Sequence, residues 1–194
     1  MATIKMKRKT KETDISLSLD LYGSGQTRIS TGIGFFDHML DLLAFHACFD
    51  LDVRAKGDLQ VCCHHTVEDV GIVLGQAFEK GLAGEKNFRR YSTVFVPMDE
   101  SLARAACDIS GRPCLVFTVA SLSPKVGEFD TELVREFFQA FVNHGLLTLH
   151  LEILYGENTH HKIEALFKAT GQALRHAVET DPRRTGPAST KGRL

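Results

Sequence analysis

The chain has 194 residues, 24% charged and 43% hydrophobic, with a formal net charge of −1 at pH 7. That balance is an ordinary soluble globule's, with ample core, and it argues against binding nucleic acid or a membrane surface through bulk charge. No apolar run approaches the roughly 18 residues of a membrane span, residues 1–5 lack the apolar stretch of a signal peptide, and the five irregularly spaced cysteines suit a reducing cytoplasm rather than a disulfide framework.

Residues 12–21 alternate polar and apolar, the pattern of a half-buried strand. A turn signal follows at 22–25, and a short strand over 27–30 completes a hairpin. Residues 36–46 read as a helix, because Met39, Leu42, Leu43 and His46 recur three and four apart. Alternation returns over 49–55, residues 56–58 turn, and 59–63 are expected to extend, with Cys62 and Cys63 packing as strand residues. A helix then runs over 65–82. In the second half, 94–96 and 102–108 are strand-like, 110–113 turn, 115–120 form a strand and 132–143 a helix. A strand over 147–154, a loop at 156–158 and a helix over 161–178 complete it, and the helix stops before Asp181 and Pro182. Residues 183–194 make a basic tail rich in Gly, Pro, Ser and Thr.

The second half repeats the first. A shift of 96 aligns Gly75-Gln76-Ala77 with Gly171-Gln172-Ala173; a shift of 98 aligns His46 with His144; a shift of 88 aligns Glu12 with Glu100 and Gly23 with Gly111. The offset drifts because loops differ in length. Each half reads β-β-α-β-α, which predicts an α+β fold of two duplicated units. Each unit is a sheet with helices on one face, and the two pack into one domain. The repeats span about 8–86 and 92–180.

Each repeat opens its last helix with the same run: His64-His65-Thr66-Val67-Glu68 and His160-His161-Lys162-Ile163-Glu164. Residues three and four apart share a helix face, so each glutamate can sit beside its histidines. Two imidazoles and a carboxylate make a ligand set for a divalent transition metal. Adjacent helical residues point about 100° apart, so the two histidines of a run should serve different ions. A duplicated run is far harder to explain as exposed surface histidines than a single one. Among the other histidines, His150 lies on a strand near the second run and is a candidate contact to it.

With these runs, Thr31-Gly32-Ile33-Gly34-Phe35-Phe36-Asp37-His38-Met39-Leu40, Met98-Asp99-Glu100, Asp108-Ile109-Ser110-Gly111-Arg112-Pro113 and Ser189-Thr190-Lys191-Gly192 give the chain a resemblance to the imidazoleglycerol-phosphate dehydratase family of histidine biosynthesis. The match covers nearly the whole chain. It implies a Mn-dependent lyase with two Mn ions per active site, a phosphorylated imidazole as substrate, and a homo-oligomer of 24 subunits with sites between neighbours. It also implies roles for matching residues. His38, His64, His65, Glu68, His160, His161 and Glu164 would bind metal. Glu12 and His46 would contact substrate near the reacting carbons, with Glu12 the catalytic acid/base. Arg90, Arg112, Ser189, Thr190 and Lys191 would hold the phosphate. The chain departs from the family at Cys62-Cys63, where acidic residues are common, and at Glu136, where many members have histidine. The repeat maps His38 onto Glu136, and a carboxylate also binds Mn, so Glu136 is expected as a further ligand.

The expected reaction removes water and leaves a ketone. The departing proton has no adjacent carbonyl to acidify it, so the imidazole ring must take up the electrons, which a metal on a ring nitrogen favours. Two rival readings remain: a two-metal hydrolase, which would carry more carboxylates, and a non-enzymatic metal-storage or metal-sensing protein, which would need neither Glu12 nor a phosphate cradle.

Overall fold

The computed structural model describes residues 3–84, 87–183 and 186–191. Strand β2 (Thr13–Asp20) buries Ile15, Leu17 and Leu19 and leaves Ser16 and Ser18 between them half-buried on the other face, as its alternation requires. It pairs antiparallel with β1 (Ile4–Lys9) and with β4 (Asp50–Gly57), while β3 (Thr27–Ser30) joins β4 in parallel through helix α1 (Gly34–Ala47). The sheet order is β1-β2-β4-β3, and helix α2 (His64–Leu82) closes the half.

The second half rebuilds this plan with β5 (Tyr91–Met98), β6 (Ser101–Asp108), β7 (Cys114–Thr118), α3 (Leu133–Gly145), β10 (Thr148–Tyr155) and α4 (Thr159–Val178). Its sheet order is β5-β6-β10-β7, with β7 parallel to β10, and a two-stranded hairpin, β8 (Lys125–Val126) and β9 (Phe129–Asp130), precedes α3. Helices cover one face of each sheet, with α1 packed on α4 and α2 on α3. Buried side chains from both halves form one continuous apolar core, led by Phe36, Phe78, Phe137, Phe138, Phe141 and Phe167.

The repeat aligned in the sequence is also a repeat of environments. A Cβ at Gly75 would lie 2.5 Å from the Phe141 carbonyl oxygen, and one at Gly171 2.4 Å from that of Leu43. Phe141 and Leu43 are themselves repeat mates, so each glycine marks an equivalent close backbone approach within its helix pair.

The structure departs from expectation in four places. Residues 27–30 do not complete a hairpin with β2: β4 lies between the two, and β3 pairs with β4 in parallel, because the chain returns through α1 rather than a tight turn. Strand β1 was not anticipated, because Lys5, Lys7 and Lys9 interrupt its apolar positions and Arg8 takes the third inward place; lysines of this kind protect an edge strand from further pairing. Residues 59–63 turn instead of extending: the Val61 N–H donates to the Asp58 carbonyl at 2.7 Å. The apolar alternation there reflects exposure, since Val61 is 66% exposed. Cys62 and Cys63 are accordingly not strand residues; Cys62 is exposed and Cys63 precedes α2 without a side-chain cap. His150 lies exposed on the outer face of the second sheet, in a groove shared with Tyr91, Thr93 and Asp108. Of the tail expected over 183–194, residues 184, 185 and 192–194 lie outside the described residues, as do residues 85 and 86 at the end of the first repeat.

Candidate metal centre and active site

Helix α4 starts abruptly because Asn158 caps it, its side-chain oxygen accepting the N–H groups of His160 and His161 at 2.9 and 3.2 Å. This start fixes where both histidines project. Their ring planes differ by 79°, and those of His64 and His65 at the start of α2 by 81°. Neighbouring histidines therefore address different places, as 3.6 residues per turn requires.

His160 turns toward Glu164 and, across the α1–α4 contact, toward His38. His160 Nε2 lies 3.1 Å from Glu164 Oε2, and His38 Nε2 lies 3.4 Å from the same oxygen. Ligand atoms of the three residues all fall within 4.8 Å of one another, and among the described residues no other group of His, Cys, Asp or Glu meets that closeness. Phe35 packs edge-on against the His160 ring at 5.2 Å. The imidazoles are 44% and 40% exposed while Glu164 is 9% exposed, so the carboxylate forms the floor of an open donor set. Burial would raise the Glu164 carboxyl, but the Lys168 ammonium, at 2.6 Å from Oε1, with His160 and His38, holds it below the ordinary carboxylate range. Two imidazole nitrogens and an ionised carboxylate suit Mn, Fe or Zn.

The other histidine of each run is oriented differently. His65 Nδ1–H donates to Asp58 Oδ2 at 3.0 Å, and His161 Nδ1–H donates to Glu100 Oε2 at 2.7 Å. Carboxylates accept only, so the proton sits on Nδ1 and Nε2 is left as the outward nitrogen. A carboxylate behind an imidazole is the usual way a metal-binding histidine is aimed. These contacts also raise the pKa of each ring, the Asp58 bond first for His65 and the Glu100 bond first for His161.

The repeat-equivalent carboxylates Glu12 and Glu100 stand at the tips of the β1–β2 and β5–β6 hairpins, and their surroundings differ. Glu100 accepts from His161, from the Ser101 hydroxyl at 2.9 Å, and from the N–H groups of Glu157 and Asn158 at 3.1 and 2.8 Å. The His161 bond, followed by the Asn158 N–H, holds Glu100 far below the ordinary carboxylate range. Glu12 is 54% exposed, with Oε1 3.9 Å from the outward Nε2 of His65.

His64 and Glu68 lie 3.7 Å apart on α2, and Glu136 sits half-buried in the first turn of α3, the helix paired with α2. These three occupy the places equivalent to His160, Glu164 and His38 but are not drawn together as closely. His46, half-buried on α1, is lowered by burial and then by the Lys168 ammonium, partly opposed by Glu164.

The residues expected at the phosphate gather at one end of the second sheet. Arg90 is 8% exposed and held in the left-handed region at φ 78°. Its Nε and Nη2 donate to both oxygens of Asp108 at 2.7 and 3.2 Å, and Nη1 donates to the Ala188 carbonyl at 2.7 Å. Arg90 thereby seats the tail that carries Ser189, Thr190 and Lys191, where the Lys191 N–H donates to Ser189 Oγ at 3.2 Å. Arg112 is exposed in the following turn, braced by Ser110.

Asp58, Lys168 and Asp108 were not anticipated as site residues. Lys168 was detectable as the residue four after Glu164 on the same helix; Asp58 lies in a turn with no periodic signal, and Asp108, the last residue of β6, meets Arg90 through a strand pairing that local spacing does not encode.

The duplicated sheets, the packed helix pairs and the histidine–carboxylate sets define an internally duplicated α+β protein whose clustered donors could hold a metal ion. The family model for imidazoleglycerol-phosphate dehydratase matches residues 31–174, and the chain belongs to that family. Curated relatives of the same name include one from Acetivibrio thermocellus, 57% identical over 98% of this chain and 97% of its own, and one from Xanthobacter autotrophicus, 59% identical over 96% and 95%. The Staphylococcus aureus imidazoleglycerol-phosphate dehydratase crystal structure superposes with a TM-score of 0.85 at 43% identity, covering 93% of this chain and 100% of that one. The Pyrococcus furiosus enzyme gives 0.84 at 38% identity, covering 97% and 100%.

Proposed function

We propose that the chain converts imidazoleglycerol phosphate to imidazole acetol phosphate in histidine biosynthesis, using two Mn ions per active site. The observation that carries this reading is the convergence of His38, His160 and Glu164 from two helices far apart in sequence. In the proposal, that trio would hold one ion, and His64, Glu68 and Glu136 would supply the equivalent set. His65 and His161 would offer their outward nitrogens to ions shared with neighbouring subunits. When bound, the metal supplies Lewis acidity that lowers the pKa of the substrate's imidazole N–H.

Glu12 is assigned the proton transfers. An elimination needs one proton given to the leaving hydroxyl and one taken from the adjacent carbon. Of the two repeat-equivalent glutamates, Glu100 is unsuited, because its donors keep it ionised and occupied. Glu12 stands at a hairpin tip with its carboxylate open. Arg112, Lys191 and Ser189 are assigned to the phosphate, by fork, point charge and hydroxyl respectively, and Arg90 to holding the tail in place for them.

Distance supports the proposal of an assembled homo-oligomer of 24 subunits. The metal trio lies at the start of α4, whereas Arg90 donates its N–H to Ala177 near the end of that helix. Seventeen residues at 1.5 Å each separate the two by roughly 25 Å, longer than the substrate. In the proposal, this trio therefore meets the phosphate end of another chain. Tyr91 and Phe95, 57% and 54% exposed on the outer face of the second sheet, suit such contacts. No helix among the described residues is long and apolar enough to cross a membrane, and the reaction is assigned to the cytoplasm.

The test is the reaction in D2O, followed by NMR. Elimination yields an enol that ketonises by taking a solvent proton, so the methylene beside the ring should carry one deuterium. No product, or product with hydrogen carried over from the neighbouring carbon, would refute the proposed chemistry.

A further inference from the structure

We propose that Asp69 is a positioning residue for Glu12, an inference that rests on Glu12 being the acid/base. Asp69 follows Glu68 on α2 and is 6% exposed. Its Oδ1 accepts Arg8 Nε–H at 2.8 Å and its Oδ2 accepts the Thr13 hydroxyl at 2.5 Å. Both donors flank the hairpin tip that carries Glu12.

The direction of every proton in this network is fixed. A carboxylate paired with a guanidinium only accepts, so the single Thr13 proton is committed to Asp69. The 3.2 Å contact between the Thr10 and Thr13 hydroxyls must then take its proton from Thr10. Thr10 Oγ1 is left to accept the N–H groups of Glu12 at 3.1 Å and Thr13 at 2.9 Å. One directed chain thus runs from the metal-bearing helix to the backbone of Glu12.

The second repeat is an internal control. Thr13 corresponds to Ser101 and Glu12 to Glu100, but the position of Asp69 is taken by Ala165. With no carboxylate on the helix to receive it, the Ser101 hydroxyl donates to Glu100 itself at 2.9 Å. Asp69 therefore does two things: it anchors the hairpin tip, and it keeps the Thr13 hydroxyl from being spent on Glu12.

The two effects separate kinetically. Asp69→Ala should lower kcat tenfold or more with KM within twofold, because the tip is loosened and Thr13 is free to bind Glu12. Adding Thr13→Val to Asp69→Ala removes the captured hydroxyl and should raise kcat at least threefold above Asp69→Ala alone. A merely structural role gives the opposite order, with the double variant the slower. Should Asp69→Ala not fold, Thr13→Ser against Thr13→Val carries the test with Asp69 in place: the serine variant should exceed the valine variant at least threefold in kcat. Unchanged kcat in Asp69→Ala, a double variant slower than Asp69→Ala, or equal kcat for the two Thr13 variants overturns the inference. Wild-type turnover by Glu12→Gln would instead overturn the acid/base reading beneath it.

Discussion

Gly171→Ala probes how tightly the metal trio depends on helix packing. A Cβ at position 171 would lie 2.4 Å from the Leu43 carbonyl oxygen and 3.1 Å from the Ala47 nitrogen, against about 3.4 Å for ordinary contact. The obstacle is helical backbone, which cannot rotate away, so α1 and α4 must separate by about 1 Å. Overpacking costs about 1–3 kcal/mol, and the backbone obstacle favours the upper part of that range. Alanine returns roughly 1 kcal/mol of helix propensity. The net cost of about 1–2 kcal/mol lowers Tm by about 2–8 °C for a chain of this size. The same movement stretches the 3.4 Å approach of His38 to Glu164, because those residues sit on opposite sides of the interface. Metal affinity at that site should fall at least tenfold, or about 1.4 kcal/mol. Calorimetric titration of Mn into chelator-stripped protein, alongside thermal melting, measures both quantities. Gly75→Ala imposes the matching clash on α2 and α3, at 2.5 Å from the Phe141 carbonyl oxygen, and should lower Tm while leaving the trio's affinity intact. A Gly171→Ala protein with lowered Tm and unchanged metal affinity would refute the coupling.

Glu12→Gln should cut kcat at least a hundredfold with KM nearly unchanged, because it keeps shape and removes proton transfer; Glu100→Gln should retain more kcat, as steady-state kinetics will show. Arg90→Ala, which releases Asp108 and the Ala188 carbonyl, should raise KM more than it lowers kcat and make the tail a site of early cleavage in limited proteolysis. Asp50 is held below its ordinary range chiefly by the Ser24 and Gln26 N–H groups, so its stabilising effect is present above its unfolded pKa and is lost as pH falls through the depressed folded value. The urea midpoints of wild type and Asp50→Asn should therefore differ at about pH 7 and converge on acidification below the unperturbed 3.8.

Much of this was legible in the sequence because periodicity reports burial. The inward faces of β2 and β6, the four helices and the duplication follow from apolar spacing and matched offsets. Glycines 75 and 171 were legible as mates, and the structure supplies the reason. Strand β1 was hidden because its inward Arg8 answers to Asp69, a partner 61 residues away. Residues 59–63 misled because alternating apolar residues there face solvent. Divergence of the paired histidines followed from helical geometry, but the unequal fates of Glu12 and Glu100 did not. They depend on Asp69 against Ala165 and on two loop N–H groups, contacts between segments that no local pattern encodes.

The central claim is metal-dependent dehydration, and one experiment addresses it directly. Protein stripped of metal, with the stripping confirmed by elemental analysis, is incubated with imidazoleglycerol phosphate before and after Mn is restored, and the ketone product is read by its absorbance in alkali. The account predicts no turnover by the stripped protein and full recovery with Mn. Full turnover by the stripped protein, or none after Mn is restored, would contradict it.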